Sequence, residues 1–213
     1  MKIVEEYINP CRSRYVTRYN SLSEEQQIAW DEIDTLPKEK KYLKPIKRKR
    51  NPEIKTGTVF AMLLPENVYM YGKIISDNPE LPMIEKGFFI AFITNIVTKD
   101  LYCPTFELSD KNILIGPFII GNGLWKNGTF YTVGHQELTA KEKRISYGFY
   151  NSKYVISDSG KLIDKGRIIN SAGKPLDVEP KLLEFCAYKT ITGLEEAIRR
   201  EIIINPQLIP SLD

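Results

Sequence analysis

From Gly57 onward the chain alternates short apolar, β-branched and aromatic runs with Gly, Asn, Asp and Pro, a pattern that predicts mainly antiparallel β structure. Residues 58–64 and 68–76 read as a hairpin around Pro65, Glu66 and Asn67. In residues 87–98 the positions Phe88, Phe89, Ile90, Ala91, Phe92 and Ile93 are apolar without alternation, which predicts a central strand buried on both faces. Further strands are predicted at 113–120, 128–134, 145–157 and 161–169, with Asn127-Gly128 and Ser159-Gly160 as turn signals, for seven in all.

The pattern becomes helical at both ends. Ser21 and Glu24 fit a capping box, and Ala29, Trp30, Ile33 and Leu36 recur at helical spacing, which predicts a helix over 23–34 ended by Pro37. Thr192 and Glu195 form a second such box, followed by Leu194, Ala197, Ile198 and Ile202 on one face before Asn205-Pro206 stops the helix. Residues 182–188 are apolar without a period and fit helix or strand. These elements predict an α+β fold: a mainly antiparallel, strongly curved sheet, as a barrel or half-barrel, with an N-terminal helix and one or two C-terminal helices. Residues 1–52 form an N-terminal helix and basic connector, and 53–213 a single β-rich domain.

A chain of 213 residues, 42% hydrophobic and 27% charged, is long enough for one substantial core. No stretch approaches the roughly 18 consecutive apolar residues of a membrane span, and the first ten residues lack the basic-then-apolar order of a signal peptide, so a cytoplasmic protein is expected. Cys11, Cys103 and Cys186 are odd in number, far apart and outside any metal-ligand spacing, and read as small buried hydrophobes.

The formal charge of +3 is unevenly spread. Residues 38–50 hold eight basic side chains, among them Lys47, Arg48, Lys49 and Arg50, against the single acid Glu39. Such a run serves as a solvated connector, a contact for an acidic protein, or a grip on nucleic-acid phosphates, with Tyr42 as a stacking surface. A second distinctive stretch, 116–128, places four glycines in thirteen residues around Trp125. It reads as a rigid loop anchored by the indole, and Asn122, Trp125, Lys126 and Asn127 are its candidate partner-binding residues.

Signals for catalysis are few. A single histidine, His135, rules out zinc sites that need two or three, and neither G-x-G-x-x-G after a strand nor a phosphate-cradling G-x-x-x-x-G-K-[ST] occurs. Glu66, Asp77, Asp158 and Asp164 lie near predicted turns, and nothing in their spacing brings two together. The residues therefore predict no catalytic, metal or cofactor site, and action through a macromolecular partner.

Read in order, the segment from Gly57 through Phe60 to Pro65, then Tyr71-Gly72-Lys73, then Gly116-Pro117-Phe118 through Gly123-Leu124-Trp125, resemble the immunity protein 26 family. The likeness runs from Gly57 to about Arg200 and leaves the N-terminal helix and basic run outside it. The resemblance implies a non-catalytic bacterial immunity protein of a polymorphic toxin system, which binds and neutralises a cognate toxin domain in the cytoplasm. It brings no catalytic residues with it. Because the chain is not acidic, simple charge mimicry of a nucleic acid is disfavoured. The alternative is a nucleic-acid-binding regulatory module that uses the basic run at 38–50.

Overall fold

In the computed structural model, residues 9–37, 41–82 and 84–209 are described. Among the described residues four α-helices, α1 (Pro10–Asn20), α2 (Glu24–Thr35), α3 (Gly123–Lys126) and α4 (Ile191–Ile204), accompany ten strands. The first five strands, β1 (Thr58–Leu63), β2 (Tyr69–Ser76), β3 (Phe88–Thr98), β4 (Ile113–Gly121) and β5 (Tyr131–His135), form one sheet in the order β4-β3-β2-β1-β5, with every pairing antiparallel. The hairpin expected around 65–67 joins β1 to β2, with Asn67 at φ 59° and its amide donating to Leu64 O.

This sheet is covered on both faces, which is why β1 and the first half of β3 read as unbroken apolar runs. One face carries Phe60, Met62, Met70, Ile74, Phe89 and Ile93, packed with Trp125, Phe130 and with Leu194 and Ile198 of α4. On the other, Ile90 and Ile119 pack with Phe149 and Ile169, and Tyr71 and Lys73 lie beneath the segments 99–112 and 136–145. β3 is an interior strand whose first half is buried on both sides, as predicted.

The barrel or half-barrel does not form. β4 and β5 are the two edges of an open sheet; the outer side of β4 instead meets Tyr188 and Lys189, whose amide donates to Ile119 O at 2.7 Å. The strands needed for closure are broken. The predicted strand 145–157 divides into β6 (Tyr147–Asn151) and β7 (Tyr154–Ile156), and 161–169 into β8 (Leu162–Asp164) and β9 (Arg167–Ile169). At both breaks Asp164 Oδ1 accepts a backbone hydrogen bond, from the Lys153 and Gly166 amides. β6 and β9 join β10 (Leu182–Phe185) in a three-stranded sheet where β10 runs parallel to β6, while β7 and β8 pair alone. The ambiguous 182–188 is thus a strand at its start.

Two N-terminal helices are present where the sequence predicts one. The unpredicted α1 has a polar sequence with one buried residue, Cys11, and is held from outside: Arg18 donates to both oxygens of Glu201 on α4, at 2.5 and 2.6 Å, and Arg14 donates to the carbonyls of Pro180 and Lys181. Burial pushes the Cys11 thiol up to about 12, with Glu184 adding to the rise. On α2 the capping box uses Ser23 and Gln26, not Ser21 and Glu24, because Gln at that offset reaches back to the Ser23 amide as well as Glu would. Trp30 donates to the Tyr15 hydroxyl and lies beside the Arg200 guanidinium, joining α1, α2 and α4. The cap of α4 is Thr190, which accepts from the Gly193 amide, so Thr192 and Glu195 form no box there. Glu195 is buried and accepts from the amides of Tyr42 and Leu43 instead.

Candidate functional site

Those two bonds begin an ordered path for the basic connector. Leu43 is buried, Lys44 donates its amide to Leu63 O at 2.9 Å, Ile46 to Gly128 O at 2.8 Å, and Lys49 to Trp125 O at 3.1 Å. Sequence reading expects an extended segment packing lightly on the body. The segment is extended, but it is laced by its backbone amides to β1 and to the turn around Trp125 and Gly128. Lys38, Glu39 and Lys40, the start of the basic run, lie outside the described residues.

The path brings together two stretches that the sequence separates by some 75 positions. Gly128, at φ +88°, sits against the Lys47 carbonyl carbon and the Arg48 backbone; a Cβ there would lie 3.2 to 3.3 Å from them, closer than the connector tolerates without shifting. Between connector and turn lies a groove of about 330 Å³, lined by Lys47, Arg48 and Lys49 on one side and by Trp125, Phe130, Tyr131 and Thr132 on the other. Lys47, Arg48, Lys49, Arg50 and Lys126 are exposed, and among the described residues none has a carboxylate within 4.0 Å.

The loop residues divide by role. Trp125 is fully buried, edge-on to Phe60, Phe89 and Phe130, and donates from Nε1 to Thr132 Oγ1 at 3.1 Å. Its indole therefore anchors the loop and walls the groove. Asn127 accepts from the Thr129 amide and shapes the turn, Asn122 is half-buried at the start of α3, and Lys126 alone of the four is exposed.

No catalytic cluster assembles from the remaining candidates. His135 is exposed at the end of β5, opposite Thr58. Asp77 accepts from the Thr56 amide and Asp164 from two amides at the base of β8, so each serves its own turn. Among the described residues no group of three or more His, Cys, Asp and Glu is placed to hold a metal ion. The strongest polar constellation is internal. Lys73 Nζ donates to Glu142 Oε1 at 2.8 Å and to Phe106 O at 3.1 Å, while Glu142 also accepts from the amides of Leu108 and Thr139, both at 2.8 Å. Lys73 and Glu142 are sealed from solvent, so they form a structural clamp between β2 and the segments that cover it.

The fold is an α+β domain with the basic groove on its surface. The family model for immunity protein 26 matches residues 55–160, which hold the whole five-stranded sheet, and the chain belongs to the immunity protein 26 family. No curated protein and no solved structure matches the chain.

The short motifs that carry the resemblance turn out to be one packing unit. Phe60 stacks on Phe130 at 4.3 Å between centroids and meets Trp125 edge-on at 5.6 Å. Gly72 leaves the space that the Phe60 ring occupies: a Cβ there would collide with that ring and lie 2.6 Å from Phe92 O. Lys73, next along β2, points to the opposite face and enters the ion pair. Sequence reasoning found these residues by order and missed Glu142 altogether, since only its place in a polar segment, 69 positions from Lys73, could have marked it.

Proposed function

We propose that the chain is a non-catalytic immunity protein that binds a cognate bacterial toxin domain in the cytoplasm and blocks it, with the basic groove as one contact surface. The observation that carries this reading is the row Lys47, Arg48, Lys49 and Arg50, exposed, without carboxylate partners among the described residues, and fixed in place by backbone bonds to the Trp125 turn. Unpaired cations on a connector whose backbone is already ordered favour an acidic partner, because the backbone entropy is lost before binding and only the side chains remain to be ordered. No helix among the described residues is long and apolar enough to cross a membrane, which fits action on a partner in solution. Residues 1–52 would then supply the connector side of the groove, and 53–213 the family domain that supports it.

The test is charge reversal. Arg48→Glu with Lys49→Glu is expected to weaken binding of the cognate toxin domain by about a hundred-fold, mainly through slower association, with thermal stability unchanged since both side chains are exposed. Equal affinity of the variant and the native chain in a calorimetric titration would remove the groove from the interface. Binding of an oligonucleotide that falls steeply between about 50 and 200 mM salt, with no toxin complex, would instead favour a nucleic-acid-binding regulatory module.

A further inference from the structure

A second surface lies away from the groove, on the ribbon made by β7 and β8. Its register pairs Tyr154 with Asp164, Val155 with Ile163 and Ile156 with Leu162. Side chains alternate along a strand and cross-strand partners lie on the same side, so Tyr154, Ile156 and Leu162 share one face, with Asp164 half-buried at its base. They are 61%, 77% and 64% exposed, whereas Val155 and Ile163 on the opposite face are half-buried. Three large apolar side chains held side by side in water are unfavourable in an isolated chain and mark a surface that meets something.

The ribbon is also held in shape. Gly160, at φ +75°, closes its turn with a bond from its amide to Ser157 O, and the Lys165 amide donates to Lys153 O at 2.7 Å. At its base Asp164 accepts from Lys153 and Gly166, and burial together with the neighbouring Asp164 carboxylate pushes the Tyr150 hydroxyl up to about 12. A two-stranded ribbon alone is marginally stable, and these base contacts are what fix it to β6 and β9.

Charge selects the occupant. Lys153, Lys161, Lys165 and Arg167 are exposed around the ribbon against one exposed acid, Asp158 in its turn, and among the described residues none of the four cations has a carboxylate within 4.0 Å. A second copy would bring these cations against their like, which is repulsive, and of the three outward side chains only Tyr154 has a π face, so the aliphatic pair Ile156 and Leu162 would be left without a stacking partner on a nucleic acid. An apolar groove rimmed by Asp and Glu on a protein meets both features.

We propose that the β7–β8 ribbon is a docking arm that inserts Tyr154, Ile156 and Leu162 into an acid-rimmed apolar groove of the toxin domain. This rests on the immunity reading and assigns the apolar centre of the interface to the ribbon. The experiment titrates the purified cognate toxin domain, identified by its complex with the native chain, into the full chain by calorimetry. Ile156→Ser with Leu162→Ser is expected to weaken Kd by about thirty-fold or more, Lys153→Glu with Lys165→Glu by about ten-fold, and Val178→Ser, at an apolar residue 79% exposed elsewhere, not at all. All should melt like the native chain. Affinity of the Ile156/Leu162 variant within two-fold of native would overturn the ribbon assignment while leaving the immunity reading standing. A dimer of the native chain alone that this variant dissolves would overturn it in favour of a second copy. Absence of any complex with the native chain would overturn both.

Discussion

Replacing Lys73 by Met is expected to lower the melting temperature by about 6 to 20 °C, the equivalent of about 3 to 5 kcal/mol in a chain of this size. The size of the effect comes from what is left behind. Glu142 is sealed from solvent, and although the Leu108 and Thr139 amides still donate to it, its charge then has no counter-ion in a low-dielectric interior. Glu142→Gln should cost a similar amount by stranding the Lys73 ammonium, which retains only Phe106 O and the Phe106 ring, 4.9 Å from Nζ to its centroid. The informative variant is the double one. Lys73→Met with Glu142→Gln removes both charges, so its loss should fall short of the sum of the two singles by about 1 to 3 kcal/mol. Thermal melts of the four proteins followed by circular dichroism measure this coupling; additive losses would mean that the pair does not act as a clamp.

Trp125→Ala should destabilise the fold by about 3 to 5 kcal/mol and disturb the basic groove at the same time. The indole fills the space between Phe60, Phe89 and Phe130 with no exposure, so truncation leaves a cavity among rings that sit in a rigid sheet. The same residue's carbonyl takes the Lys49 amide, and the next glycine along, Gly128, takes the Ile46 amide. Hydrogen exchange at Ile46 and Lys49 should therefore speed up in the variant more than exchange in β2 and β3, which lie in the middle of the sheet. Uniform loss of protection would show that the connector does not depend on the tryptophan turn.

These two expectations also mark where the sequence was informative. The strands of the main sheet could be read from β-branched and aromatic runs because both faces are buried, and α4 could be read from Leu194, Ala197 and Ile198 because its apolar stripe is regular. The helix α1 could not, since its stability lies in Arg14 and Arg18 reaching partners more than 160 positions away. The barrel was a plausible extension of seven strands, and it failed where Asp164 tied off two of them and β10 added in parallel, contacts that no local pattern encodes. At the candidate site the sequence supplied Lys47 to Arg50 and the glycine-rich loop as separate features. Their union depends on backbone bonds from Ile46 and Lys49, and backbone atoms carry no signature in composition. The exposed face of the β7–β8 ribbon had only the Ser159-Gly160 turn to announce it, because an outward apolar residue and an inward one look alike in sequence.

Growth of a bacterial host that expresses the proposed cognate toxin domain, with and without the chain, followed by co-purification, tests the immunity assignment most directly. Restored growth with a stable complex is the expected result, weakened by the Arg48→Glu/Lys49→Glu and Ile156→Ser/Leu162→Ser variants. Unrelieved toxicity with the native chain well folded and abundant, and no complex recovered, would contradict it.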